Sequence, residues 1–376
     1  MRGIVSVRTL SITALLGAAI VARAQAPAAT TAHTETGGAS AEFEFNDSHF
    51  HLTNYIQRGT ELGAFLGIMG TRVGRVALFG IPLQQEWSER IDGDRGPTYY
   101  LNTDAPLYYY SFTDAQIAMA YRALPPEQRD RFDPMITGFN PADMYAVDHI
   151  RRVLTLFPGV FTGIGEFTIH KEFVAAKVAG GTASLLDPAL DSILRFAGRV
   201  GLLVILHNDV DVPFAKAGAA PAYLDQVRRL FARHPETTII WAHTGVGRVV
   251  RPIAQHGKML ESILADPQLA HVNFDLSWDE VAKYIVASDT SIRLAADLVN
   301  RYPDRFLFGT DVVAPNDPGM YYHVYDIYRP FLDRLTPDAR AKLLRRNYER
   351  LFGAARSRVR LWEAANVRPS ATSDSR

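Results

Sequence analysis

The chain has 376 residues, no cysteine, and 40 Lys plus Arg against 40 Asp plus Glu. Without cysteine there is no disulfide, thiolate ligand or Cys nucleophile, so a transition-metal site must be built from imidazole and carboxylate. Balanced charge gives no electrostatic reason to expect nucleic acid or an anionic membrane surface as partner, which leaves a small molecule as the expected one.

In chain order, Met1 to Ala24 reads as a secretory signal. Arg2 and Arg8 give a basic start, Leu10 to Ala22 an apolar stretch, and Ala22-Arg23-Ala24 a small-x-small cleavage site. The stretch of about 13 residues is shorter than the roughly 18 that a membrane span needs. The expectation is an exported protein, periplasmic or secreted, with no stable membrane span and a mature start near Gln25. Residues 25–41, poor in large apolar side chains, are expected to be a flexible leader. Residues 42–363 are then one domain and 364–376 a polar, disordered tail.

Eight short apolar runs ending in polar residues follow, separated by segments with helical spacing. They are Glu44 to Leu52, Val73 to Ile81, Asp133 to Phe139, Val160 to Ile169, Leu202 to Asn208, Thr238 to Thr244, Val272 to Ser277 and Phe306 to Val312. Pro141 to Phe157, opened by Asn140 as cap, and Pro221 to His234 are expected helices. Strands and helices in alternation, with no Gly-rich phosphate fingerprint after the first strand, predict an α/β fold: a closed (β/α)8 TIM barrel. A tyrosine-rich insertion follows strand 2 and carries Tyr99, Tyr100, Tyr108, Tyr109 and Tyr110; a second long loop, Val210 to Ala220, follows strand 5. Both belong on the C-terminal face, where βα loops build active sites.

The first run reads Phe45-Asn46-Asp47-Ser48-His49-Phe50-His51, and a period of two puts Asp47, His49 and His51 on one inward face. Such a pair of imidazoles can bind a divalent ion if other strands complete the shell, although alone it is more often incidental polar sequence. Later strand ends add His207, His243 and Asp311. Since barrel strands run parallel, these ends converge on one mouth. Glu166 and His170, in Gly163-Ile164-Gly165-Glu166-Phe167-Thr168-Ile169-His170, share a strand face; Glu166 reads either as a ligand or as the partner of a base such as Lys171 or Arg251.

These residues, with Arg305-Phe306-Leu307-Phe308-Gly309-Thr310-Asp311 on the eighth strand, resemble the amidohydrolase superfamily and within it amidohydrolase family 2, over about residues 44 to 352. The resemblance implies fold and metal chemistry more firmly than reaction, because the branch holds lactone hydrolases, hydratases and non-oxidative decarboxylases of carboxylated aromatic or dienoic acids. It implies His49, His51, His207 and Asp311 as ligands of one divalent ion, expected to be zinc. In two-metal members a carboxylate at the end of strand 4 bridges the ions; here that is Glu166, with His243 recruited to the second ion.

A metal lowers the pKa of its bound water toward about 7. Asp311 is expected to touch the ion and move protons, and His243 to polarise or protonate the substrate carbonyl. His170, Asn208, Trp278 and Tyr109 are expected to bind substrate, although Trp278 and Glu280 read equally as caps of the following helix. The leading functional expectation is hydrolysis of a C–O or C–N bond in a small lactone, ester or amide. The alternatives are metal-dependent decarboxylation or hydration, or a barrel that binds metal without turnover. Assembly as a homo-oligomer is compatible with the sequence and not fixed by it.

Overall fold

Buried apolar runs and amphipathic segments alternate throughout the chain, and the computed structural model turns that alternation into a ring of parallel strands. It describes residues 43–53, 59–81, 112–172, 174–175, 177–178, 181–182, 184–216 and 218–367. The expected signal, the leader, the tyrosine-rich insertion with Tyr109, and the tail beyond residue 367 lie outside the described residues.

The chain runs β1 (Phe45–His51), α1 (Leu62–Met69), β2 (Val73–Phe79), α2 (Thr113–Ala123), β3 (Phe132–Ile136), α3 (Ala146–Leu156), β4 (Gly163–Thr168) and α4 (Pro188–Val200). It continues through β5 (Leu203–His207), α5 (Leu224–Arg233), β6 (Ile239–Trp241), α6 (His256–Leu264), β7 (Val272–Leu276), α7 (Asp279–Ile285) and α8 (Asp289–Arg301). It ends with β8 (Phe306–Phe308), β9 (Val312–Val313), α9 (Pro318–Leu332) and α10 (Asn347–Asn366). Each strand from β1 to β7 pairs in parallel with the next in the chain. The eighth strand position is split: β8 pairs with β7, and β9 pairs with β1. Between them, Gly309 N donates to Leu276 O at 3.2 Å and Asp311 N to His49 O at 2.7 Å. That split segment closes the barrel.

Strand side chains alternate between two buried clusters. Val76, Leu78, Val204, Leu206 and Phe308 face the helices. Ala77, Phe79, Met135, Leu203, Ile205, Ile240 and Leu307 fill the interior. Burial on both faces is why the strands read as nearly continuous apolar runs. The floor of the interior is closed by Tyr348, Leu351, Phe352 and Ala355 of α10. This helix is pinned at the strands' N-terminal ends by Tyr348 Oη to Asp133 Oδ2 at 2.8 Å and Arg356 Nη2 to Asp133 Oδ1 at 2.9 Å. Each large side chain buried there contributes roughly 1.5–3 kcal/mol of transfer free energy.

Several expected boundaries move. The helix expected from Pro141 starts at Ala146, because Asn140 caps a turn instead: its Oδ1 accepts from Ala142 N at 3.0 Å and its carbonyl from Asp143 N. The last helix runs through Asn366, three residues past the domain end expected at residue 363. The sixth and eighth runs give strands of three residues each, since the chain leaves β geometry at His243, Thr244 and Asp311, all with positive φ near 55°.

In β4, Ile164 lies opposite Val204 and Phe167 opposite Leu206, so one extra residue is accommodated around Gly165. Gly165 has φ +109°, and a Cβ there would lie 2.1 Å from the Ile205 carbonyl oxygen. Glycine is therefore required, and the bulge aims Glu166 at the interior. Gly165→Ala is expected to destabilise the chain by roughly 1–3 kcal/mol from backbone strain before any clash is counted. A thermal melt matching wild type would show that the bulge tolerates a side chain.

Candidate metal centre

His51 sits opposite Phe79 in the β1–β2 register and therefore faces the interior. The His49 and His51 rings lie 5.1 and 4.7 Å from that of Phe79. Asp47 does not share their face. It pairs with outward-facing Val76, because β1 carries an extra residue between Asp47 and Phe50 that shifts the alternation. Asp47 instead fastens the seam of the barrel, accepting from Thr310 N at 2.9 Å, Thr310 Oγ1 at 2.6 Å and Tyr321 Oη at 2.8 Å. Burial pushes its pKa up to about 6 against those hydrogen bonds.

The remaining strand ends converge on Glu166. Its Oε2 lies 3.6 Å from His49 Nε2 and 3.4 Å from His51 Nε2, while Asp311 Oδ1 lies 3.2 and 2.9 Å from the same two atoms. On its other side, Glu166 Oε1 lies 2.5 Å from His207 Nδ1 and 3.5 Å from His243 Nε2. Asp311 Oδ2 reaches to 3.7 Å from His243 Nε2. Three donor groups result, one of His49, His51, Glu166 and Asp311, one of Glu166, His207 and His243, and one of His49, His243 and Asp275, each with its ligand atoms within 4.8 Å of one another. Of the residues expected at the metal, His207 thus stands across Glu166 from the histidine pair.

Asp275 orients His49 and His243. Its Oδ2 lies 2.8 Å from His49 Nδ1, and its Oδ1 accepts from His243 N at 2.8 Å and Ser277 Oγ at 2.6 Å. Since Ser277 gives its proton to Asp275, its oxygen accepts from His243 Nδ1–H at 2.9 Å. The Nε2 atoms of His49 and His243 then point into the cluster, and both are buried. Sequence reasoning missed Asp275. Its signal was a carboxylate inside the apolar run Val272–Leu276, where only a paired acid survives burial.

Burial opposes ionisation of Asp311, yet the imidazoles of His49, His51 and His243 hold it well below the ordinary carboxylate range. Against the same burial, Lys171 and His207 hold Glu166 low. His49 is pushed well above the usual imidazole range, where Asp311 and Asp275 overcome desolvation. Burial lowers His243, which favours the neutral ring that a ligand must be. Buried nitrogen and oxygen donors with inward lone pairs fit a divalent cation, which would supply the positive charge that the clustered carboxylates ask for.

Of the expected substrate-binding residues, Trp278 stands beside this centre. The Trp278 ring is 5.2 Å from that of His243, with Lys171 Nζ and Arg248 Cζ each 5.4 Å from its centroid. Lys171 Nζ is also 3.9 Å from Glu166 Oε1, so the expected pairing with a base is met by Lys171, while Arg251 is exposed. Glu280 does not cap its helix by a side-chain bond but pairs with Arg248 Nε at 3.0 Å and with Lys283. Asn208 is buried and donates to the Asp209 carbonyl at 2.7 Å.

His170 leaves the face of Glu166. It lies beyond β4 in a short antiparallel pair and stacks on Tyr223 with centroids 3.9 Å apart. Burial pushes its pKa down to about 4. The unfolded chain, titrating near about pH 6.5, then takes up this proton first, so the stability tied to His170 is complete above that pH and declines toward pH 4. His170→Gln should make the fall in Tm over that window shallower; an unchanged slope would assign it to other groups.

The family model described as Amidohydrolase, that of amidohydrolase family 2, matches residues 47–354. No curated protein matches the chain in sequence. Among solved structures, an uncharacterized TIM-barrel protein of Bordetella bronchiseptica is similar at TM-score 0.50 and 15% identity, over 83% of this chain and 99% of its own. A 2,6-dihydroxybenzoate decarboxylase, solved with 2,6-dihydroxybenzoate, is similar at TM-score 0.50 and 13% identity, over 82% and 98%. A putative 2-pyrone-4,6-dicarboxylic acid hydrolase of Pseudomonas putida gives TM-score 0.49 at 16% identity, over 83% and 98%. No helix among the described residues is long and apolar enough to cross a membrane. The first two of these structures share the α/β barrel fold. The family match spans most of the chain: it belongs to amidohydrolase family 2.

Proposed function

We propose that the protein is a zinc-dependent hydrolase that cleaves a C–O or C–N bond of a small carbonyl compound. The observation that carries this reading is the arrangement of Asp311, whose two oxygens reach the His49–His51 pair and His243 respectively. His49, His51, Glu166 and Asp311 would hold the ion. When bound, it supplies Lewis acidity and a water acidic enough to deprotonate near neutral pH. Asp311, ionised at neutral pH, accepts a proton at the oxygen facing the histidine pair and delivers it toward the leaving group. His243, fixed by Ser277 and Asp275, presents Nε2 to the substrate side and takes up or returns a proton there. Trp278 and Lys171 wall the mouth and narrow the access of bulk water.

Decarboxylation of a carboxylated aromatic acid is a second reading with its own support, the two cations flanking the Trp278 ring beside His243. The site formed by Glu166, His207 and His243 is where a second ion would sit. A panel of lactones, esters and amides, run with zinc-loaded protein beside a carbon dioxide readout on aromatic carboxylates, separates the two reactions. Hydrolysis that is lost on chelation and restored by zinc is the expected outcome; carbon dioxide release without hydrolysis would replace the first reading by the second.

A further inference from the structure

His207 closes β5 with a carboxylate at each ring nitrogen: Nδ1 lies 2.5 Å from Glu166 Oε1, and Nε2 lies 3.2 Å from Asp209 Oδ1. Asp209 follows two residues later and is as fully buried as His207. Its remaining groups are committed: Oδ2 accepts from Glu172 N at 2.5 Å, and its own N donates to the His170 carbonyl at 2.8 Å. Glu172 Oε1 in turn accepts from Arg248 N at 2.7 Å. Asp209 is therefore held to the loops that follow β4 and β6, with Oδ1 fixed against His207.

A carboxylate only accepts hydrogen bonds, so the nitrogen facing Asp209 is the one that keeps a proton. That leaves Nδ1 as the atom His207 offers to Glu166 and to any cation between them. The ring is thus turned the opposite way from that of His49, whose Nδ1 rests on Asp275 and whose Nε2 faces the cluster.

We propose that Asp209 is a positioning residue that holds the proton of His207 on Nε2, so that Nδ1 is the donor this side chain brings to Glu166 and His243. The role gains its chemical use from the reading of Glu166, His207 and His243 as a cation site, and rests on it to that extent. Asp209→Asn isolates it. The Asn oxygen must keep accepting from Glu172 N, which turns the Asn NH2 toward His207 Nε2. A nitrogen that receives a hydrogen bond there carries no proton, so the proton moves to Nδ1, where Glu166 Oε1 accepts it. Every hydrogen bond is kept, yet the lone pair that faced the cation is used up.

The first readout needs no metal: side-chain nitrogen NMR of the metal-free full chain labelled at histidine, with His207 assigned by its absence from His207→Ala. Nε2 should be protonated in wild type and bare in Asp209→Asn, with a proton on Nδ1 instead. The second is zinc uptake against a competing chelator. Asp209→Asn should bind a second zinc ion about 10- to 100-fold more weakly than wild type and hold the first as tightly. A bare Nε2 in wild type would overturn the role of Asp209 even if the variant failed to fold, and so would an unchanged His207 signal in the folded variant. Reversal of the ring with second-ion affinity unchanged would overturn its link to the cation. If wild type took up one ion only while the ring reversed as expected, Asp209 would keep its hold on His207 and the cation site would fall.

Discussion

Zinc-loaded wild-type protein is expected to retain about one tightly held ion per chain after dialysis, and His49→Ala essentially none. The expectation follows from the division of donors by Glu166. His49, His51, Glu166 and Asp311 form the fuller group, and the His49 lone pair is already aimed by Asp275. Removing His49 deletes a donor and leaves Asp275 buried without the imidazole that holds it ionised. His207 is differently placed, with Nδ1 on Glu166 and Nε2 on Asp209 at 3.2 Å, so His207→Ala should keep the ion. Asp275→Asn should fall between, losing about 10- to 100-fold in affinity, as removal of an orienting partner usually does. Mass-spectrometric metal analysis and a chelator competition read all four proteins. Stoichiometric zinc in His49→Ala would sink the site; loss in His207→Ala would instead move His207 into the ligand set, as the sequence alone suggested.

Turnover of Asp311→Asn is expected to fall by about 10²- to 10⁴-fold on the substrate found in the panel, while most of its metal stays bound. Asparagine keeps the shape and one oxygen donor but cannot accept a proton. The neighbouring imidazoles hold Asp311 ionised well below the ordinary carboxylate range, so its protonation cannot cause an activity loss between pH 5 and 8. A limb in that window would belong to another group, and the variant should share it. Activity within a few fold of wild type would make Asp311 structural and pass proton transfer to His243 or Glu166.

The strand ends were legible because each stops an apolar run with a residue that such a run does not need: His49, His51, His207, His243 and Asp311. What the sequence could not show was which way residues point where the period breaks. An extra residue in β1 sends Asp47 outward, and another at Gly165 aims Glu166 inward. The first leaves no mark in composition and the second only a glycine, since both depend on pairing with a neighbouring strand. Asp275 was hidden by the same locality. The two histidines it orients, His49 and His243, lie 226 and 32 residues away in the chain.

The split eighth strand makes the metal centre a latecomer in biosynthesis. Asp311 lies between the segment that binds β7 and the segment that binds β1, so its position exists only once the first and last strands have met across the whole chain. A nascent or truncated polypeptide ending before residue 306 would carry His49, His51, His207 and His243 and still lack Asp311. Bound zinc would then report ring closure, and apo chains accumulating during expression would mark unfinished molecules. The seam held by Asp47 and Thr310 joins residues 263 apart in the chain, and contacts of such separation form slowly, so ring closure would precede the full donor set.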